Sequence, residues 1–248
     1  MASIEVNNEF YDNLGEAWFV GQDHPIALLR AEARLKNPWV AEVIGQRMGS
    51  SARVLDIGCG GGFLSNDLAA RGYRVTGLDA SAGSLRMAEA VDQTKKVEYV
   101  LGSAFQLPFG DASFDVCACM DVLEHVRNPQ LVVQEAVRVL KPGGLFLFHT
   151  FNRHWLAKIV VIYGMNWFFK NVPKSLHLYS FFIKPRELKN FIEDSGAHVE
   201  EWRGLRPRLS WRAAYQILRT GEVPDALTFE FCRALSVGYV GYAVKKKL

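Results

Sequence analysis

From Arg53 onward, short apolar runs rich in β-formers alternate with amphipathic segments, the pattern of a mainly parallel sheet with helices on both faces. It predicts strands at Arg53–Ile57, Arg74–Leu78, Val97–Leu101, Phe114–Met120 and Leu145–Phe151, with helices at Phe63–Arg71, Ser81–Val91 and Pro129–Leu140. Local punctuation agrees. Gly72 after Arg71 reads as a left-handed C-terminal cap, Asn128-Pro129 as an N-cap with proline at the first helical position, and Lys141-Pro142-Gly143-Gly144 as a stop. Two helices precede the sheet, Asn7–Phe19 and the amphipathic Pro25–Arg47. After it come a helix over Pro185–Ser195, a strand near His198–Arg203 and a β-rich run at Val237–Lys245, giving a doubly wound α/β sheet of seven strands with N-terminal helices and a helical insertion after the fifth strand. Trp155–Phe182 and Leu205–Phe229 fit no regular unit and read as insertions, which on such architectures often carry specificity.

A chain of 248 residues suits one domain with a large core. Its parts are a helical cap (1–48), a ligand-binding core (49–151), a hydrophobic insertion (152–183) and a C-terminal portion of the sheet with a substrate lid (184–248). With 49% hydrophobic and 22% charged residues the composition is that of a soluble globular protein. A net charge of +3 is too small to argue for nucleic acid, so any positive patch is local. Cys59, Cys117, Cys119 and Cys232 lack the paired spacing of a zinc site and read as reduced thiols of a cytoplasmic protein. Met1–Asn8 has neither a basic start nor an apolar run, so no signal peptide is expected. The most apolar stretch, Trp155–Phe169, is 15 residues long and contains Lys158, too short to cross a bilayer but suited to lying in an interface.

The chemistry begins where the first strand runs out. Val54–Gly62 reads V-L-D-I-G-C-G-G-G, a strand entering D-x-G-x-G-x-G and then a helix. Glycines let the backbone approach a ligand closely and adopt positive φ, and nucleotides sit at this edge of a doubly wound sheet. Asp79 closes the next strand, 21 residues beyond Gly58, placed to accept hydrogen bonds from ribose hydroxyls. A nicotinamide dinucleotide site and a ligand-free glycine turn are the competing readings. Asp56 weighs against a pyrophosphate, which it would repel, and suits a ligand bearing an ammonium and a sulfonium. A third element, Leu101–Phe109 followed by Asp111–Asp115, completes the order. Residues 50 to 150 thus resemble the class I S-adenosylmethionine-dependent methyltransferases, whose loop after the third strand usually reads G-D-A and contacts adenine; here Ser103 replaces the aspartate. The resemblance implies a Rossmann-like methyltransferase fold and S-adenosylmethionine as cofactor. Its contacts would come from Asp56, Gly58, Cys59, Gly60, Gly62, Asp79, Ala80, Ser103, Ala104, Phe105 and Met120.

Directly after the fourth strand comes C-M-D-V-L-E-H-V, Cys119 to Val126. On a helical turn Asp121, Glu124 and His125 share one face at i, i+3 and i+4. Two carboxylates and an imidazole there suit Mg2+ or Zn2+, which would acidify a bound phenol; alternatively His125 is a general base, or a hydrogen-bonded wall of the pocket. Farther on, Asn152-Arg153, an apolar insertion, V-P-K-S-L-H at Val172–His177 and F-I-K-P at Phe182–Pro185 follow in order. With the C-M-D-x-L-E-H-V segment, this resembles the ubiquinone-biosynthesis O-methyltransferases over residues 50 to 195, while Asn7–Arg47 and the part beyond Gly204 depart from that pattern. The resemblance implies methylation of a ring hydroxyl on a polyprenylated phenol or catechol, with Asp121, Glu124 and His125 as catalytic residues and metal ligands. It also implies peripheral attachment of Trp155–Lys174 to an acidic membrane at its inner face, with charge from Arg153, Lys158, Lys170 and Lys174; a lid helix packed on the core is the plainer reading. A small-molecule O-, N- or C-methyltransferase and a non-catalytic S-adenosylmethionine-binding protein are the rival functions.

Overall fold

The structure, a computed structural model, describes residues 9–169, 171–173 and 176–247. Met1–Asn8, and with it the signal-peptide expectation, lies outside the described residues, as do Lys170 and Lys174. Eight strands form one sheet: β1 (Arg53–Ile57), β2 (Arg74–Asp79), β3 (Glu98–Leu101), β4 (Phe114–Met120), β5 (Leu140–Phe151), β6 (Ala197–Arg208), β7 (Thr228–Cys232) and β8 (Gly238–Lys245). Their order is β3-β2-β1-β4-β5-β8-β6-β7. The first five are parallel and the last three antiparallel, so the chain reverses its winding between β1 and β4. The carboxyl ends of those two strands open on the crevice where this architecture binds ligands.

The parallel strands read as nearly continuous apolar runs because both faces are covered. Leu55, Ile57, Cys117, Cys119, Phe146 and Phe148 pack one way, with α5 (Pro129–Val139) and α8 (Pro185–Asp194) over them. Val54, Val116, Ala118, Leu145 and Leu147 pack the other way, against α2 (Ile26–Met48) and α3 (Phe63–Ala70). Asp56 falls in register with the second set, a carboxylate among the four buried residues of β1.

Three sequence expectations change. The predicted helix over Asn7–Phe19 is instead α1 (Glu9–Asp12) and a 3-10 turn at Gly15–Trp18, parted where Gly15 takes φ +50°. The stretch Leu205–Phe229 is regular: β6 continues to Arg208, and α9 (Trp211–Thr220) starts on a Ser210 cap and ends at left-handed Gly221. The chain then adds β7, which makes eight strands where seven were expected. The insertion after β5 is helical, as expected, running through α6 (Trp155–Ala157), a π-helical stretch at Lys158–Tyr163 and α7 (Gly164–Phe168). Among the described residues no helix is long and apolar enough to cross a membrane.

The N-terminal cap lies on the first residues of α4 (Ala82–Val91), where a side chain on Gly83 would meet the Asp12 carbonyl oxygen at 2.3 Å. Glycine to alanine inside a helix ordinarily gains up to ~1 kcal/mol. Here the sign reverses, because the obstacle is backbone and the cap must shift. Gly83→Ala is expected to destabilise by about 1–3 kcal/mol, seen as a lower melting temperature and faster proteolysis near residues 9–18. A raised melting temperature would contradict this packing.

Candidate active site

The loop after β1 is folded tightly under β2. Gly58 and Cys59 both donate their backbone N–H to the Leu78 carbonyl, at 2.7 and 3.0 Å, and Gly62 donates to Cys59. Gly58, Gly60 and Gly62 have φ of 71°, 52° and 80°, and a Cβ on Gly58 would stand 2.3 Å from a Val122 methyl. Asp79 holds the loop from the other side: its carboxylate accepts from the Gly60 and Ser81 N–H groups, each at 2.8 Å. A carboxylate offers about four acceptor sites, so capacity remains for two hydroxyls. Asp56 is buried and accepts from the Ser65 hydroxyl at 2.7 Å; burial pushes its carboxyl up to about 7, against the pull of that hydrogen bond. In the loop after β3, Ser103 turns its hydroxyl onto the Phe105 N–H at 3.2 Å, so it shapes the turn.

Asp56, Gly58, Cys59, Gly60, Asp79, Ala80, Ser103, Ala104, Phe105 and Met120 all line one cavity of about 820 Å³. Gly62 does not; it begins α3 and leaves room for Ala88 and the Tyr99 hydroxyl. Sequence reasoning gave no role to Tyr11 and Trp18, which also line the cavity. The Trp18 ring lies over Gly60 and Gly61, so close that a Cβ on either glycine would collide with it.

The expected metal ligands do not converge. Asp121 takes a left-handed φ of 61° and Leu123–His125 is a 3-10 turn, so the α-helical spacing that would put three side chains on one face is absent. Asp121 pairs with Lys36 of α2 and accepts from His149 Nδ1. Glu124 is fully buried; Oε2 accepts from Thr150 at 2.8 Å and Oε1 has no partner among the described residues. Burial and the Asp121 charge raise its carboxyl. His125 turns toward Tyr11 and His177, with ring centroids 5.9 and 5.0 Å away. Burial lowers His125 to about 4 and, with His125 beside it, His177 to about 3, so both imidazoles are neutral at pH 7.

Among the described residues the donors that do gather, within 4.8 Å, are Glu32, Asp121 and His149. The Lys36 ammonium already stands there, 2.9 Å from Glu32 and in contact with Asp121. Burial alone would lower its pKa, but the Asp121 and Glu32 carboxylates outweigh that and raise it. The residues as arranged therefore do not fit a divalent cation.

A family model described as a methyltransferase domain matches residues 55–148. A ubiquinone biosynthesis O-methyltransferase of Aromatoleum aromaticum is 36% identical over 193 residues, 76% of this chain and 81% of that protein. One of Coxiella burnetii is 33% identical over 200 residues, 79% of this chain and 82% of that protein. Among solved structures, a magnesium protoporphyrin IX methyltransferase from Synechocystis with bound SAH superposes with a TM-score of 0.67 at 17% identity, covering 97% of this chain and 96% of that one.

The burial of Asp56 has a measurable cost. Its folded carboxyl, at about 7, lies above the unfolded value near ~3.9, so the folded state holds the proton better. Stability from this group is full below the unfolded value and is lost as pH rises toward the folded one. Asp56→Asn is thus expected to stabilise the ligand-free protein at pH 8 by roughly 2–4 kcal/mol, the gain shrinking toward pH 5. Urea unfolding at the two pH values decides it: a gap that fails to widen with pH refutes the assignment.

Proposed function

Because the chain belongs to the ubiquinone-biosynthesis O-methyltransferase family, within the class I S-adenosylmethionine-dependent methyltransferases, we propose that it methylates a ring hydroxyl of a polyprenylated phenol or catechol. One observation carries the reading: the cavity that begins at the glycine loop continues between the two insertions, where its walls are apolar. Ile159, Val160, Val161, Met165 and Phe168 come from the helical insertion, and Leu205, Leu209, Ile217, Leu218 and Phe229 from the C-terminal hairpin and α9. Each methylene of an isoprenoid tail buried there contributes roughly 0.8 kcal/mol.

The cofactor, when bound, supplies a methyl carbon made electrophilic by a sulfonium. The loop carrying Gly58 and Gly60 borders its methionyl part, Asp79 takes the ribose hydroxyls, and Asp56 sets negative charge beside a cationic ligand. Glu124, with an unpaired Oε1 on the same cavity, is placed to receive the phenolic proton. The neutral rings of His125 and His177 wall the acceptor end. Holding oxygen, carbon and sulfur in line supplies much of the rate. The measurement is transfer of labelled methyl to catechols with and without a prenyl tail. Ring O-methylation with kcat/KM rising with tail length is expected. Methyl found on nitrogen or carbon, or indifference to the tail, refutes the substrate assignment.

A substrate of this kind resides in lipid, and we further propose peripheral binding to the cytoplasmic face of an acidic membrane. Trp155, Trp167 and Trp211 are 63%, 70% and 75% exposed on the two insertions that border the cavity. Lys158 on the first, and Arg212 and Arg219 on the second, supply positive charge beside them. The protein should co-sediment with phosphatidylglycerol vesicles at low salt, and a Trp167→Asp, Trp211→Asp double variant should bind less. No binding by the unaltered chain at low salt sinks the proposal.

A further inference from the structure

Lys36 is a buried ionisable side chain that neither the motifs nor the cofactor account for. It rides on α2, outside the cofactor-binding core, and projects to the end of β4 with only 4% of its side chain exposed. An ammonium has three N–H donors. Two meet Glu32 and Asp121, and the nitrogen lies 3.5 Å from His149 Nδ1, which itself donates to the other oxygen of Asp121. His149 Nε2 is buried with no partner among the described residues, so its contribution to the cluster is the Nδ1–H bond alone. Glu32, Lys36 and Asp121 all line the cavity shared with the glycine loop. Two carboxylates and an imidazole within 4.8 Å are a donor set suited to a divalent ion, and the protein fills it with a side chain of its own.

We propose that Lys36 is a resident cation standing in for a divalent metal, so that methyl transfer by this chain is metal-independent and relies on Lys36 to hold Asp121 in place. Lys36 is a positioning residue. It acts through Asp121, whose left-handed backbone turns the chain at the end of β4 and sends Val122–His125 along the cavity wall. Such backbone strain persists only where surrounding contacts over-determine it, and the ion pair with Lys36 and the His149 bond are those contacts. A divalent ion would have to displace the ammonium, leaving it buried without its partners, which costs more than a surface ion pair returns.

The inference rests on the methyltransferase reading for its turnover measurement alone; its metal measurements do not need an acceptor. The probe is MnCl2, with free Mn2+ read by its paramagnetic resonance signal, added to protein first dialysed against EDTA. The unaltered chain is expected to leave that signal undiminished and to keep its turnover in EDTA. Lys36→Met, neutral and of similar length, uncovers Glu32, Asp121 and His149, so it should bind Mn2+ at least about tenfold more tightly and regain melting temperature when Mn2+ is added. Adding His149→Leu to that variant should abolish the gain, and Lys36→Arg should continue to exclude the ion. Turnover of Lys36→Met should fall about a hundredfold from misplacement of the 121–125 wall, with affinity for S-adenosylhomocysteine little changed. Stoichiometric Mn2+ uptake by the unaltered chain, with turnover lost in EDTA and restored by metal, overturns the proposal. So does a folded Lys36→Met that gains no Mn2+; were that variant unfolded, the Mn2+ and EDTA results on the unaltered chain decide alone. Failure to find any methyl acceptor would refute the function proposed above and leave the metal results to decide this one.

Discussion

Burying carboxylates is costly, and the crevice between β1 and β4 gathers Glu32, Asp56, Asp79, Asp121 and Glu124 around one cavity. How each is compensated organises the rest of the site. Asp121 and Glu32 share the Lys36 ammonium, which ties the N-terminal helix to the middle of the sheet. Asp79 takes two backbone N–H groups and thereby fixes the glycine loop against the start of α4. Asp56 and Glu124 each receive one hydroxyl hydrogen bond, from Ser65 and Thr150, which does not offset their burial, and their carboxyls rise. Among the described residues no cationic side chain pairs with Asp56, so that side of the cavity suits a cationic ligand. On the Asp121 side the positive charge is built in.

What was legible in the sequence follows from how local each signal is. Strand alternation such as Leu55/Ile57 against Val54, and the positive-φ glycines at 58, 60 and 62, are fixed by period and backbone sterics within a few residues. Asp79 was legible because it closes a strand at a set distance from the loop. Lys36 was not, since on an amphipathic helix a lysine reads as a solvated face, and only the packing of α2 over β4 buries it. His149, inside an apolar strand, was hidden in the same way. The Asp121–Glu124–His125 trio misled because its i, i+3, i+4 spacing presumes an α-helical turn, while the Asp121 backbone turns left-handed to meet Lys36. The hairpin around α9 carried its signals openly, in the Ser210 cap and Gly221, but they were short and lay beyond the resembling region.

The two insertions divide the labour of the cavity. The parallel half offers polar atoms and glycines to a nucleotide-like ligand. The side beyond β5 offers aliphatic and aromatic walls from a helix whose middle is π-helical and from the strongly amphipathic α9. A π-helical stretch turns side chains out of the regular helical rows, and here it brings consecutive residues, Ile159 to Val161, onto the cavity. The same elements leave Trp155, Trp167 and Trp211 exposed. The apolar end of the cavity thus lies next to exposed tryptophans on both insertions.

This division also explains how a fold survives such divergence. The Synechocystis methyltransferase superposes over nearly the whole chain at 17% identity. In the parallel half the glycine loop is held largely by backbone: Gly58 and Cys59 donate to the Leu78 carbonyl, and the missing side chains at 58, 60 and 61 admit Val122 and Trp18 against the loop. The acceptor end has the opposite character. Its shape is made of side chains on insertions, and its charge depends on one lysine contributed by the N-terminal helix. Substitutions on α2, the helix after β5 and α9 reshape this end of the cavity without touching the parallel strands, so under the proposed function these are the elements that would set acceptor choice.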